Sequence, residues 1–148
     1  TKYLDRAQTD GGRGYGYKVG NAPTPAMTAE GLLCRQYLGW QHTDQRLVEG
    51  VEAVLQNPID YNEQNVYYWY YATQVTHHME GRQWDRWNDV MREEVPKAQT
   101  KTGKEAGSWS PALYRKDKDT TEIYTTCLSI YMLEVYYRHL PIYSYRVQ

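Results

Sequence analysis

The tyrosines, histidines, cysteines and paired aspartates are the residues of this chain whose types could do chemistry, and many of them crowd into one stretch. NVYYWYYATQVTHHMEG, residues 65–81, places Tyr67, Tyr68, Trp69, Tyr70 and Tyr71 in succession and follows them with His77 and His78. Aromatic faces attract cations by about 0.5–2 kcal/mol per contact, so such a run would suit a chamber for a positively charged ligand or intermediate. Helical geometry narrows that reading. Five consecutive rings spread around all sides of a helix, and only Tyr67, Tyr70 or Tyr71, Gln74 and His78 can share a face. Tyr124, further along the chain, completes the set of ligand-contact candidates. His77 and His78 point about 100° apart, so at most one joins that face. Interhelix packing is the first reading of the run and of Trp40, Trp84, Trp87 and Trp109.

Other reactive side chains are scattered. Cys34 and Cys127 lie far apart with no CxxC spacing, which speaks against a metal knuckle or a redox motif, and they read as small buried hydrophobes. Asp117 and Asp119 are interleaved with Lys116 and Lys118, as in an exposed loop. Neither Gly-x-Ser-x-Gly nor a P-loop is present. DGGRGYG, at 10–16, follows a helix instead of a strand and does not fit a dinucleotide fingerprint. No catalytic residue, metal site or cofactor is expected from these patterns.

The positions of these residues depend on the elements around them. At 148 residues the chain fits one domain with a real core. Its 17 basic and 18 acidic residues are interspersed, which gives nucleic acid or an anionic membrane nothing to capture. No apolar run approaches the roughly 20 residues of a spanning helix. TKYLDRAQTDGG lacks the basic and apolar regions of a secretory signal. Sixteen Tyr and no Phe put hydroxylated rings where Phe ordinarily packs.

Five segments read as helices. Residues 26–40 carry Met27, Leu32, Leu33, Tyr37 and Trp40 on overlapping turns after Pro25. Asp44 can cap a helix with a stripe of Leu47, Val48, Val51, Val54 and Leu55, ended by Asn57-Pro58. Asn65 can cap a third helix through about Glu80, with Gly81 at its C′ position. The fourth, about 83–99, carries Trp84, Trp87, Val90, Met91 and Val95, and Pro96 should kink or shorten it. The fifth, about Thr121 to His139, carries Ile123, Cys127, Ile130, Tyr131, Leu133, Glu134 and Tyr137. Residues 1–8 read as the tail of a further helix.

A Gln stands near the helix end before each long loop, at Gln8, Gln56 and Gln99, with spacings of 48 and 43 residues. A period in this range points to an array of helical hairpins, each burying its face against its neighbours. Gln8-Thr-Asp-Gly11-Gly12-Arg-Gly14-Tyr15 and the stretched copy Gln99…Gly107-Ser-Trp109 resemble the prenyltransferase and squalene-oxidase-type repeats of the terpenoid cyclase and protein prenyltransferase superfamily. The middle copy, Gln56-Asn-Pro, lacks the glycines. TAEGLLCRQYLGW and YYWYYATQVTHHMEG also look like a group of bacterial proteins of unassigned function that contain such repeats.

The resemblance implies an all-α fold, a partial α/α toroid of about three repeats (1–40, 41–81 and 82–148), and a C-terminal fragment of a longer protein. In it each Gln would tie a helix end to the next Gly-rich turn, with an aromatic ring beside it. It also implies a structural or interaction module from a larger cyclase-like protein, whose partner is the rest of a larger toroid or another protein chain. The alternative is a fragment of an isoprenoid cyclase or prenyltransferase, with an apolar isoprenoid ligand and its catalytic residues in the missing half. Asp117-Lys-Asp119 lacks the third aspartate of the family's cyclase acid motif, and no Asp-x-Cys supplies a prenyltransferase zinc site.

Overall fold

The computed structural model describes residues 1–113 and 121–138. Lys2–Ala7 form α1, and a hairpin of β1 (Gln8–Thr9) and β2 (Gly14–Tyr15) closes around a 3-10 turn at Asp10–Gly12. There follow α2 (Pro25–Tyr37), α3 (Gln45–Leu55), α4 (Val66–Met79), α5 (Gly81–Lys97), a 3-10 turn at Pro111–Leu113, α6 (Glu122–Leu133) and α7 (Val135–Arg138).

Side chains outside the helices set their starts. The Thr24 hydroxyl accepts from the Met27 N–H, with Pro25 in the first helical turn where its missing N–H costs nothing. The Asp44 carboxylate accepts from the Arg46 N–H, Asn65 from that of Tyr68, and Thr121 from that of Tyr124. Between α4 and α5 the chain reverses without a loop, through Glu80 (φ +57°) and Gly81 (φ +52°). Pro96 lies in the last turn of α5, which ends one residue later. The expected shortening follows from its missing donor.

The helices pack in two rows. In one, α4 lies between α2 and α6; in the other, α3 packs on α5, and each touches its neighbours in the first. Leu32, Leu47, Val51, Val54, Trp69, Ala72, Val75, Trp87, Met91 and Val95 fill the core between them. The Trp87 indole N–H donates to the Thr73 hydroxyl at 2.8 Å, and that hydroxyl donates to the Trp69 carbonyl at 2.8 Å. A large ring is thereby buried with its polar atom satisfied. Among the described residues, no helix is long and apolar enough to cross a membrane.

The structure departs from the sequence reading in several places. The loop at 10–25 contains β2, one partner of the small sheet, and a further bridge between Gly16 and Pro23, so the chain is mostly but not wholly helical. The first long helix stops at Tyr37, leaving Trp40 beyond it, and Tyr37 is exposed instead of packed. The expected long last helix breaks at Glu134 into α6 and α7. Its buried side is Thr125, Ser129 and Met132, while Ile123 is 75% exposed and Ile130 37%. Leu128 and Leu133 pack partly against the core, and Ile123, Ile130 and Tyr131 face outward. Cys34 and Cys127 are half-buried free thiols. Asp117, Asp119, His139 and the residues that follow it lie outside the described residues.

Candidate functional site: a tyrosine face on α2, α4 and α6

The Gln and Gly positions form the frame. Gln99 Nε2 donates to the Gly107 carbonyl at 2.9 Å, so this side chain does tie its helix end to the Gly turn. Gln8 instead accepts from the Arg35 guanidinium at 3.0 Å, and Gln56 donates to the Glu52 carbonyl of its own helix at 3.5 Å. What the first and third turns share is an aromatic residue held by threonine. The Tyr15 N–H donates to the Thr28 hydroxyl at 3.2 Å, and the Trp109 N–H donates to the Thr126 hydroxyl at 3.0 Å. Tyr15 packs flat on Gly31, where a Cβ would stand 2.3 Å from the ring. Its hydroxyl accepts from Arg35 at 2.9 Å. Arg35 is buried, paired with Asp5 at 2.7 Å and stacked over Trp40. Gly11, Gly12 and Gly107 all have positive φ; Gly14 instead sits where a Cβ would crowd the Thr9 hydroxyl.

On this frame the aromatic run of α4 divides as helical geometry requires. Tyr68 and Trp69 are buried in the core, and Tyr67, Tyr70 and Tyr71 are half-buried in one cluster. The Tyr71 ring lies 4.8 Å from that of Tyr67 and 5.0 Å from that of Tyr70. The Tyr67 hydroxyl donates to Glu30 Oε2 at 2.9 Å, which joins α4 to α2. Tyr70 approaches Tyr131 of α6 at 6.2 Å between centroids. Gln74 and His78 are buried one and two turns further along α4. His78 Nε2 lies 3.3 Å from the Tyr37 hydroxyl. His77 turns away, edge-on to Trp84 of α5. Tyr124 sits on the first turn of α6, and Tyr131 is the ring that links α6 to the cluster.

Glu30, Cys34, Tyr37 and Tyr131 therefore belong to the face although sequence reasoning had not placed them there. The signal was available for three of them: Glu30, Cys34 and Tyr37 follow at i, i+4 and i+7 on one side of α2.

Three phenols and the thiol of the face are pushed toward their neutral forms. Burial pushes the Tyr67 phenol far above the ordinary tyrosine value, and its hydrogen bonds with Tyr71 and Glu30 act in the same direction. Burial also raises Tyr71, with the Glu30 charge adding to it, and raises Tyr37. The Cys34 thiol is raised by burial and by Glu30. A neutral thiol is a poor nucleophile and neutral phenols are poor bases. The chemistry of the face is hydrogen bonding and ring contact around the Glu30 carboxylate. Among the described residues no group of three or more His, Cys, Asp or Glu side chains is placed to hold a metal ion.

Beside this face a cavity of about 450 Å³ opens between α1, β2 and α2, lined in part by Tyr3, Tyr15, Tyr17, Glu30, Cys34 and Tyr67. Comparison with protein-family models, with curated proteins and with solved structures gives no match.

Proposed function

We propose that the chain is a helical-hairpin repeat domain of the partial α/α-toroid type and acts as a structural or interaction module. Its partner is the next part of a larger toroid or another protein chain. The observation that carries this reading is α6: its small polar residues are buried while Ile123, Ile130 and Tyr131 are exposed. Contiguous exposed apolar surface of this kind marks interfaces. The two-row packing and the matched Tyr15–Thr28 and Trp109–Thr126 bonds support the repeat assignment.

The test is light scattering after size exclusion, with anilinonaphthalene sulfonate fluorescence as a second readout. The unaltered chain is expected to bind the dye and to associate at tens of micromolar, and Ile123→Glu with Ile130→Glu to suppress both while leaving helicity intact. A monodisperse chain that binds no dye sinks the interface reading.

A second reading, a fragment of an isoprenoid cyclase or prenyltransferase, is favoured by one observation, the tyrosine face on α2, α4 and α6. It predicts product from squalene or prenyl diphosphates when the longer protein is incubated with them, and lack of product rules it out for those substrates.

A further inference from the structure

The cavity between α1, β2 and α2 combines ring walls with a carboxylate. Tyr3, Tyr15, Tyr17 and Tyr67 line it together with Met27 and Glu30, and its volume of about 450 Å³ is in the range of small-molecule sites. Glu30 is half-buried, and its described hydrogen-bond partner is the Tyr67 hydroxyl at 2.9 Å. Among the described residues no ion pair engages it. Lys18 lines the same cavity but is exposed and forms no described ion pair with Glu30.

We propose that this cavity binds a methylated ammonium group, of the kind carried by choline. Glu30 supplies the countercharge and the tyrosines supply ring faces.

Three features select that chemistry. A partly desolvated carboxylate favours a cation and repels an anion, and the electron-rich faces of surrounding rings act in the same direction. A wholly apolar ligand would leave the carboxylate and hydroxyls covered without partners. A primary ammonium brings three N–H groups that each need an acceptor, and one Glu30 oxygen already serves Tyr67. A methylated ammonium has no such requirement. Three of the four tyrosine walls have hydrogen-bonded hydroxyls before any ligand arrives. The Tyr3 hydroxyl donates to the Tyr17 carbonyl at 3.2 Å, Tyr67 is held by Glu30, and Tyr15 by Arg35 at 2.9 Å. Preorganisation of this sort lowers the ordering cost of binding. The proposal does not depend on the repeat reading, because the cavity needs only the groups that line it.

Isothermal titration of the full chain tests it, with choline as the probe, 3,3-dimethylbutan-1-ol as its uncharged isostere and n-butylamine as a primary amine. Choline is expected to bind about tenfold or more tightly than the neutral isostere, a ratio within reach of a carboxylate and several ring faces acting together. Glu30→Gln is expected to weaken choline about tenfold with little effect on the isostere. Tyr3→Ala, at a residue 60% exposed, is expected to weaken choline several-fold without loss of helicity, and so keeps the test open if Glu30→Gln folds poorly. Equal affinity for choline and its isostere overturns the proposal, as do unchanged choline binding in folded Glu30→Gln and absence of binding at tens of millimolar. Equally tight n-butylamine overturns the preference for a methylated group.

Discussion

Replacing Thr73 by valine is expected to destabilise the protein by about 1–3 kcal/mol, the cost of a buried donor left without its partner. The shape of the side chain is nearly conserved, so no large cavity confuses the result. What is lost is the acceptor for the Trp87 indole N–H at 2.8 Å, beneath a ring that is 2% exposed. Thr76→Val is the matched control. The Thr76 hydroxyl is also buried, but it donates to the Ala72 carbonyl at 2.7 Å and the Thr73 carbonyl at 3.2 Å within its own helix. Those carbonyls keep the backbone partners that α4 gives them, and the change should cost less than about 1 kcal/mol. Equilibrium urea unfolding measures both, and the difference corresponds to roughly 2–4 °C per kcal/mol in thermal midpoint for a chain of this size. A double-mutant cycle with Trp87→Phe should return a coupling near 1 kcal/mol or more. Equal losses for the two valine variants, or zero coupling with Trp87, would show that the indole bond does not hold α5 to α4 as described.

Gly31→Ala places a methyl group 2.3 Å from the Tyr15 ring, and overpacking of this kind typically costs about 1–3 kcal/mol, so a fall in thermal midpoint of several degrees is expected. Gly103→Ala, with open space at that position but φ +86°, tests backbone strain alone and should cost about 1 kcal/mol. Alkaline pH should unfold the protein through its buried phenols: burial raises Tyr61, Tyr67 and Tyr68, so the folded state keeps protons that the unfolded chain releases near pH 10. Their contribution is complete below about pH 10 and is lost as pH rises toward the folded values. Tyr68→Phe should therefore flatten the fall of stability with pH above 10, and an unchanged slope contradicts the assignment. The same substitution should lower stability at neutral pH by about 1–3 kcal/mol, since the Tyr68 hydroxyl donates to the Val54 and Asn57 carbonyls at 2.7 and 3.0 Å.

The parts of the fold legible in the sequence are those set by local chemistry. Asp44 and Asn65 cap as short polar side chains before apolar runs do, and Pro96 limits α5 because it lacks a donor. The split of VYYWYY into core and face follows from the helical period alone. The strands were not legible, because two residues each cannot set up an alternating pattern, and they are held by partners distant in sequence such as Thr28. The face of α6 was misread for a physical reason. A pattern of bulky apolar residues normally marks the buried side, but Thr125 buries its hydroxyl at no loss by donating to the Trp109 carbonyl at 2.6 Å. The Glu30, Cys34 and Tyr37 side of α2 can be read from its spacing, but nothing local announces that a tyrosine on another helix will bond to Glu30.

The three Gln turns meet one physical requirement. A helix that ends in the core must satisfy its last carbonyls. At the end of α1 the Gly16 N–H donates to the Ala7 carbonyl at 3.2 Å; at the end of α3 the Tyr68 hydroxyl serves Val54; at the end of α5 the Trp109 indole serves Val95 at 2.8 Å. Three different donors meet the same requirement. At the middle turn the Asn57 N–H also donates to the Val54 carbonyl at 3.0 Å, so that helix end has both a backbone donor and a ring donor, and neither comes from a glycine. Tyr68 can serve this purpose only because it has a hydroxyl, which Phe would lack. At this position the bias toward Tyr in a chain with 16 Tyr and no Phe has a structural function. The same reasoning separates Tyr68, whose hydroxyl completes a helix end, from Tyr67, whose hydroxyl is directed at the one carboxylate of the candidate site.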